Sequence, residues 1–248
     1  ALAFLDPTIK DLMPDPSTVT DLDAGVARLA DAVERREKIA LFADYDVDGA
    51  TSAAVMRRWL VQVGADPIVY VPDRLIEGYG PNVEAIRGLA AAGARLIVTL
   101  DCGSTSFEAL EAAHDAGVDV VVIDHHQCGV ELPTARAVIN PNRQDDLSDL
   151  GHLCACGVAF VTLVGLAREL RRRGFFRGRP EPDLLALLDL VALGTVADVV
   201  PLIGLNRAFV VKGLQVARRR RNPGLAALSA VARLNGPMSP YHLGFLIG

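Results

Sequence analysis

Cysteine and aromatic residues are scarce in this chain of 248 residues, and long apolar runs are missing. The four cysteines form no C-x-x-C pair, which argues against a disulfide-stapled scaffold and against a structural zinc site. This usage of cysteine predicts reduced thiols and a cytoplasmic location. No apolar run reaches the eighteen or so residues that span a bilayer, so we expect no membrane partner.

Two nucleotide-binding signatures are also absent. The chain has no G-x-x-x-x-G-K-[ST] loop and no G-x-G-x-x-G turn, which argues against a P-loop enzyme and a dinucleotide cofactor. The start shows no secretion signal and no initiator Met, so we expect a fragment of a longer protein. The formal net charge of −5 argues weakly against a surface that coats nucleic acid, although arginines concentrate at "RRRG" (171–174) and "ARRRRN" (217–222).

What the chain does have is a regular alternation of apolar and amphipathic segments. Continuous apolar runs rich in Val and Ile predict strands buried on both faces, at 38–43, 66–72, 94–100 and 118–123. Amphipathic patterns predict helices at 21–36, beginning after Thr20 or Asp21, and at 50–63, 82–92 and 104–116. We therefore predict an α/β fold, a mostly parallel sheet with helices on both faces.

A helical segment follows the predicted sheet. The polar stretch 140–153 predicts a loop, and helical patterns dominate from residue 152, with Pro182 and Asp183 starting one helix. The division we expect is a helical lead-in, a catalytic domain with a sheet part and a helical part, and the start of a linker: 1–37, 38–215 (38–140 and 152–215) and 216–248.

Acidic and imidazole groups follow three of the predicted strands. Each strand is followed at once by polar residues: Asp44, Asp46 and Asp48 in "DYDVDGATS", then Asp101, then Asp124, His125 and His126 in "VVVIDHHQCG". Open parallel sheets bind ligands outside the carboxyl ends of their strands, so these groups should meet at one edge. Asp198, in "ALGTVADVVP", is a further acid between apolar residues, at the end of a helix.

Each of these residues has a plainer interpretation when it is taken alone. An Asp at a strand-to-helix turn often caps the helix, and a lone His is more often structural than a ligand. Several carboxylates in one crevice, however, repel by roughly 4 kcal/mol per close pair at an effective dielectric near 20. Cations relieve that repulsion, and a mixed carboxylate and imidazole set suits Mn²⁺ or Mg²⁺. A pair of such ions is a common device for phosphoryl hydrolysis. Gly49, where a helix begins, also indicates a phosphate cradle.

Four segments in order resemble the motifs of the DHH phosphoesterase superfamily: "ADYDVDGATSAA", "LIVTLDCG", "VVVIDHHQ" and "ALGTVADVVPLIGLNR". The last segment, with "RLIEGYGPN" (74–82) and "LCACGVAF" (153–160), is similar to the RecJ branch, the single-stranded-DNA-specific exonucleases. The resemblance covers about residues 38 to 210. It implies a metal-dependent 5′→3′ exonuclease on single-stranded DNA, in DNA repair and recombination alongside other repair proteins.

The resemblance also implies roles for individual residues. The expected ligands of two metal ions are Asp44, Asp46, Asp48, Asp101, His125 and Asp198, with Asp101 as the bridge. Asp124 is expected to orient His125, and His126 to contact the scissile phosphate or assist proton transfer. Arg74 and Tyr79 are expected to contact DNA through phosphate and base stacking.

This sequence departs from the family pattern in one motif. "LCACGVAF" has Ala155 and Cys156 where relatives carry small residues, while Gly157 remains for a close approach to substrate. Two other functions stay open at this level: a small-molecule phosphoesterase on the same scaffold, acting on pyrophosphate or short or cyclic nucleotides, and an inactive scaffold of the replication machinery.

Overall fold

The structure is a computed structural model that describes residues 5–248. At its centre lies a sheet of five parallel strands in the order β2-β1-β3-β4-β5. The strands are β1 Ile39–Ala43, β2 Ile68–Tyr70, β3 Leu96–Leu100, β4 Asp119–Ile123 and β5 Ala137–Ile139. The predicted parallel sheet is confirmed. β5 is an addition, because its three residues are too short an apolar run to separate from the loop beside it.

Helices connect and cover these strands. They are α1 Ile9–Leu12, α2 Leu22–Glu34, α3 Val47–Gln62, α4 Val83–Ala91, α5 Phe107–Asp115, α6 Ala155–Arg172, α7 Leu188–Ala197, α8 Gly204–Ala217, α9 Pro223–Val231 and α10 Pro240–His242. The helices expected between the strands are all present, with ends shifted by a few residues. Across residues 5–248, no helix combines the length and apolar character needed to cross a membrane.

The two faces of the sheet bury different side chains, because successive residues of a strand point to opposite sides. Leu41, Val98 and Val121 face one core, beneath α2, α3 and α6. Phe42 and Val122 face the other core, beneath α4 and α5. This double burial explains why the strands are continuous apolar runs, and it confirms the helices on both faces.

Helix α2 is tied to the edge of the sheet. It begins after Asp21 as predicted, but the side chain of Asp21 makes no capping hydrogen bond. Its carboxylate instead accepts the N–H of Val138 at 3.1 Å and the guanidinium of Arg143 at 2.6 Å. Residues 22–34 therefore pack as a layer of the sheet part, and the expected domain boundaries stay predictions.

Helix α7 places its C-terminal end against the sheet part. A β-carbon at Gly194 would lie 2.5 Å from Thr51 Oγ1 and 3.0 Å from Asp48 Oδ1, so only glycine permits this approach to α3. Asp198 follows α7 directly and so lies beside the start of α3. The chain also runs outward in opposite directions from the neighbouring strands β1 and β3, which opens a crevice at their carboxyl ends.

Candidate metal centre

The loop after β1 carries three aspartates with different environments. Asp46 caps α3, since its Oδ1 accepts the N–H of Gly49 at 2.9 Å. Gly49 packs closely against the backbone of Asp44. A β-carbon at position 49 would lie 2.4 Å from the carbonyl oxygen of Asp44, so only glycine fits there. The N–H of Gly49 is engaged by Asp46 within the loop, and the phosphate cradle expected there stays a prediction. Asp44 is buried, and burial raises the pKa of its carboxyl.

Asp48 is held by the N-terminal end of α6. Its two carboxylate oxygens accept the backbone N–H groups of Ala155 at 2.6 Å and Cys156 at 2.9 Å. A carboxylate at a helix N-terminus is stabilised by unpaired N–H groups and by the helix dipole. Burial still dominates and raises the pKa of Asp48 to about 6.

The departure from the family pattern in "LCACGVAF" therefore leaves this contact to Asp48 intact, because the contact does not use the side chains of Ala155 and Cys156. Ala155 and Cys156 act through their backbone N–H groups, and the Cys156 side chain is fully buried with its thiol 3.9 Å from the carbonyl of Leu190. Gly157 is buried in α6, with Leu153 and Phe209 nearest to where its β-carbon would lie. The side of Gly157 that a β-carbon would occupy faces the core, and the substrate contact expected at this residue stays a prediction.

Asp101 lies at the centre of the crevice in an unusual backbone conformation. Its φ of 62° is left-handed, a region in which Asp and Asn are tolerated better than most residues. The side chain is 2% exposed. Burial, together with the carboxylates of Asp48 and Asp46, raises the pKa of Asp101 to about 11.

His125 extends into the middle of these carboxylates. Its Nε2 lies 3.3 Å from Asp101 Oδ1, 3.7 Å from Asp198 Oδ2 and 3.8 Å from Asp48 Oδ2. Three acids from three different elements thus surround one imidazole nitrogen. The convergence expected from the strand ends is present in the fold.

Asp124 contacts the imidazole of His126, whereas the expected partner was the imidazole of His125. Its Oδ1 accepts the ring Nδ1 of His126 at 2.8 Å, and it meets His125 only through the backbone N–H. The expectation that Asp124 orients the imidazole of His125 is wrong, because the turn after β4 directs that ring toward Asp101. Burial opposes the charge on Asp124, but hydrogen bonds from His126 and Ser104 lower its pKa overall.

The donor set fits divalent cations. Three groups each bring their donor atoms within 4.8 Å of one another: Asp44, Asp46 and Asp101; Asp48, His125 and Asp198; and Asp101, His125 and His126. Asp101 and His125 each belong to two groups. Three oxygens of the set, Asp44 Oδ1, Asp101 Oδ1 and Asp198 Oδ2, are buried without a hydrogen-bond partner. Buried acceptors without partners are costly, and a cation satisfies them.

The loop after β2 brings its two expected substrate residues to the same edge. The hydroxyl of Tyr79 donates to the backbone carbonyl of Asp101 at 3.1 Å, and its ring meets His126 edge-on. Arg74 lies over the ring of Tyr45, 5.3 Å from its centroid, beside the loop that carries Asp44 and Asp46. Both side chains are exposed and border the crevice.

Two asparagines that sequence reasoning missed donate hydrogen bonds to the backbone of His125 and His126, in the turn after β4. Asn140, fully buried, donates from Nδ2 to the carbonyl of His126 at 2.9 Å. Asn142 donates from Nδ2 to the carbonyl of His125 at 2.5 Å. Asn140 directly follows β5, so the rule that located the acids would have found it had the short strand been recognised.

Replacing Asn142 with Leu, a side chain of similar size without a donor, should weaken Mn²⁺ binding. The carbonyl of His125 loses its partner, and supports of this kind are typically worth 10–100-fold in metal affinity. Isothermal titration with Mn²⁺ measures the change, with Asn235→Leu on an exposed loop as the matched control. Equal affinities in both variants would show that Asn142 does not position His125.

Comparisons with known proteins agree with this site. The family model "DHH family, N-terminal domain" matches residues 38–195. The chain is 43% identical, over 225 residues, to the single-stranded-DNA-specific exonuclease RecJ of Dickeya dadantii, covering 89% of this chain and 39% of that protein. Exonuclease RecJ bound to manganese superposes with a TM-score of 0.80 at 34% identity, covering 95% of this chain and 56% of that one.

A second solved structure is similar over nearly the whole chain. RecJ of Thermus thermophilus in complex with Mn²⁺ gives a TM-score of 0.78 at 32% identity, covering 99% of this chain and 33% of that one. The chain thus spans less than half the length of the curated relative described above. The match over residues 38–195 includes the loops after β1, β3 and β4 that build the crevice. The chain belongs to the DHH family, and residues 38–195 form the N-terminal domain of that family.

Proposed function

We propose that this chain is the catalytic part of a metal-dependent exonuclease that hydrolyses phosphodiester bonds of single-stranded DNA from the 5′ end. The observation that carries the proposal is the set of three donor groups sharing Asp101 and His125 in the crevice between β1 and β3. The similarity to RecJ exonucleases supports single-stranded DNA as the substrate, and the direction of cleavage follows from the family resemblance of the motifs. Four free cysteines favour a reducing cytoplasm, where other DNA-repair proteins would be its partners.

Two divalent ions, Mn²⁺ or Mg²⁺, would be held by the two donor groups that do not contain His126. Asp44, Asp46 and Asp101 form one group, and Asp48, His125 and Asp198 form the other. Asp101 Oδ1 lies 3.3 Å from Nε2 of His125, which brings the two groups together. When bound, the ions would activate the attacking water and neutralise charge on the phosphate oxygens. Buried carboxylate oxygens without hydrogen-bond partners, on Asp44, Asp101 and Asp198, would be ligands of these ions.

His126 and Asp124 form a unit for handling a proton. A carboxylate can only accept, so Nδ1 of His126 carries the hydrogen that Asp124 receives, and Nε2 is left for the substrate. The hydrogen bond to Asp124 raises the pKa of His126. More of the imidazolium is therefore present near neutral pH, which suits a contact to the scissile phosphate or proton donation to the leaving oxygen.

Tyr79 and Arg74 would bind the strand at the edge of the crevice. Tyr79 is 53% exposed, and its ring stands beside His126, so a base can stack on it next to the reacting phosphate. Arg74 has an exposed guanidinium, whose fork of donors matches a phosphate. These two side chains would place a phosphodiester against the donor groups.

The proposal is tested with purified protein and 5′-labelled single-stranded DNA in the presence of Mn²⁺. The expected result is release of labelled 5′-mononucleotides from single strands, with duplexes of the same sequence degraded far more slowly. Intact single strands, together with hydrolysis of pyrophosphate or a cyclic dinucleotide, would instead assign the site to a small-molecule phosphoesterase. Inactivity toward all three substrates would contradict any hydrolytic role.

Two substitutions at Tyr79 should separate the hydroxyl from the ring. Tyr79→Phe removes the bond to the carbonyl of Asp101 and the 3.3 Å contact of the hydroxyl with Nδ1 of His126, so we expect a loss of a fewfold in kcat. Tyr79→Ala also removes the stacking surface, worth about 1–3 kcal/mol per base, so KM for DNA should rise about tenfold or more. Steady-state kinetics measure both, with exposed Tyr241→Ala as control. An unchanged KM in Tyr79→Ala would contradict stacking.

A further inference from the structure

The end of the chain has an unusual distribution of charge. Residues 199–248 contain seven Lys and Arg and no Asp or Glu, although the whole chain has a formal net charge of −5. Four of the seven are consecutive, Arg218–Arg221, at the end of α8. A run of like charge often marks only a solvated face, so the contacts of these arginines decide its meaning.

The other arginine run of this chain is neutralised, and this one is not. Arg171 and Arg172 pair with Glu181 and Glu169, and Arg173 pairs with three carboxylates. No carboxylate among residues 5–248 lies within ion-pair distance of Arg218, Arg219, Arg220 or Arg221. All four are exposed. Within the part of the chain that the structure describes, no carboxylate therefore compensates the repulsion between these four positive charges.

One of the four arginines, Arg220, is held in place by contacts with the chain that follows. Arg220 has a left-handed φ of 49°, and its guanidinium donates to the carbonyls of Leu234 at 3.2 Å and Gly236 at 3.5 Å. Beside it lies a cavity of about 280 Å³ lined by Ala217, Arg218, Arg220, Gly236, Pro237 and Met238. We call Arg218–Arg221 with this cavity the arginine groove.

We propose that the arginine groove binds backbone phosphates of the single-stranded DNA whose end is cleaved at the metal centre. This inference rests on the proposed function and adds a second contact region to it. Exposed guanidinium groups without carboxylate partners present the fork of donors that phosphates accept. No acid lines the cavity of the groove, and Asp183 lines the neighbouring cavity together with Arg219.

The length of α8 sets the reach of this contact. α8 begins at Gly204, a few residues after Asp198, and has 14 residues. At 1.5 Å per residue, Arg218 lies about 21 Å along the helix from the end nearer the metal centre. About six stacked nucleotides at 3.4 Å each cover that distance. Strands much shorter than this cannot touch both regions.

The test compares the wild-type chain with the triple variant Arg218→Gln/Arg219→Gln/Arg221→Gln. Arg220 is kept, because its guanidinium holds residues 234–236. Binding of fluorescent oligo-dT of 20 and 4 nucleotides is measured by anisotropy in EDTA over a range of salt. We expect roughly tenfold weaker binding of the 20-mer at low salt, a salt slope shallower by about 0.7 per lost contact, and no change for the 4-mer.

The matched control is Arg35→Gln/Arg171→Gln/Arg172→Gln, which removes the same charge from exposed arginines that have carboxylate partners. Equal affinity and salt slope for the 20-mer in wild type and the groove variant would overturn the proposal. So would an equal loss in the control. A variant that binds the 20-mer normally but no longer binds polyglutamate would assign the groove to an acidic polypeptide.

A separate measurement keeps this proposal distinct from the proposed function. Hydrolysis of the p-nitrophenyl ester of thymidine 5′-monophosphate by the wild-type chain with Mn²⁺ reports on the metal centre alone. If that reaction and DNA cleavage both fail while the groove variant still weakens binding of the 20-mer, the proposed function falls and the groove stands.

Discussion

Replacing Asp101 with Asn is expected to reduce phosphodiester hydrolysis by about a thousandfold or more. Asp101 belongs to the donor group with Asp44 and Asp46, and its Oδ1 lies 3.3 Å from Nε2 of His125 in the other group, so its loss would disturb both metal positions at once. A metal ion contributes several kcal/mol of charge stabilisation to such a reaction, and each 1.4 kcal/mol is about tenfold in rate. Asn is the right replacement because it tolerates the left-handed φ of 62° at this position.

The fold should survive this substitution. In the metal-free protein, burial raises the pKa of Asp101 to about 11, so the side chain is protonated and neutral at pH 7. A neutral amide of the same shape should leave the metal-free Tm within about 2 °C, less than about 1 kcal/mol for a protein of this size. The increase in Tm on adding Mn²⁺ should be lost. Asp115→Asn, on the exposed end of α5, is the control.

Retained cleavage in Asp101→Asn would show that hydrolysis does not need the carboxylate of Asp101 as a metal ligand. A large fall in metal-free Tm would show a structural role instead. Rates on labelled single strands and melting curves with EDTA and with Mn²⁺ separate the two results.

The stabilisation by Mn²⁺ should grow as the pH rises from 5 to 8. Burial raises the folded-state pKa of Asp48 to about 6, above the ordinary value of 3.8. The stability contributed by its protonated form is therefore fully present below about pH 4 and is lost as the pH rises through 6. That loss amounts to roughly 3 kcal/mol for this one group in the metal-free protein.

Mn²⁺ reverses this trend because it replaces the proton. Metal binds the deprotonated ligands, so the difference in Tm between Mn²⁺ and EDTA should be small at pH 5 and large at pH 8. Burial also raises the pKa values of Asp44 and Asp198, which adds to the effect in the same direction. In Asp48→Asn the pH dependence should be weaker. A difference in Tm that stays constant from pH 5 to 8 would contradict metal binding by these carboxylates.

The position of the acids could be predicted from the sequence because topology alone sets it. Asp44, Asp101 and Asp124 each follow a continuous apolar run, and parallel strands bring their carboxyl ends to one edge. Asp198 was harder to place, since it depends on how α7 packs on α3. Its assignment came from the family resemblance, and the contact with His125 at 3.7 Å agrees with it.

The details that escaped prediction depend on side-chain directions and on contacts between distant segments. The turn after β4 decides that Asp124 meets the ring of His126, and no spacing in "DHH" reveals this. The N–H groups that hold Asp48 come from residues more than 100 positions later in the chain. The contact of Gly157 with Phe209 likewise depends on how α6 packs on α8.

We infer that Asp101 and His125 together position the ligands of two metal ions. Crystals grown with Mn²⁺ and measured at the manganese absorption edge test it most directly. We expect two anomalous peaks in the crevice, both at ligand distance from the carboxylate of Asp101 and one of them beside Nε2 of His125. A single peak, or manganese bound away from Asp101, would contradict it.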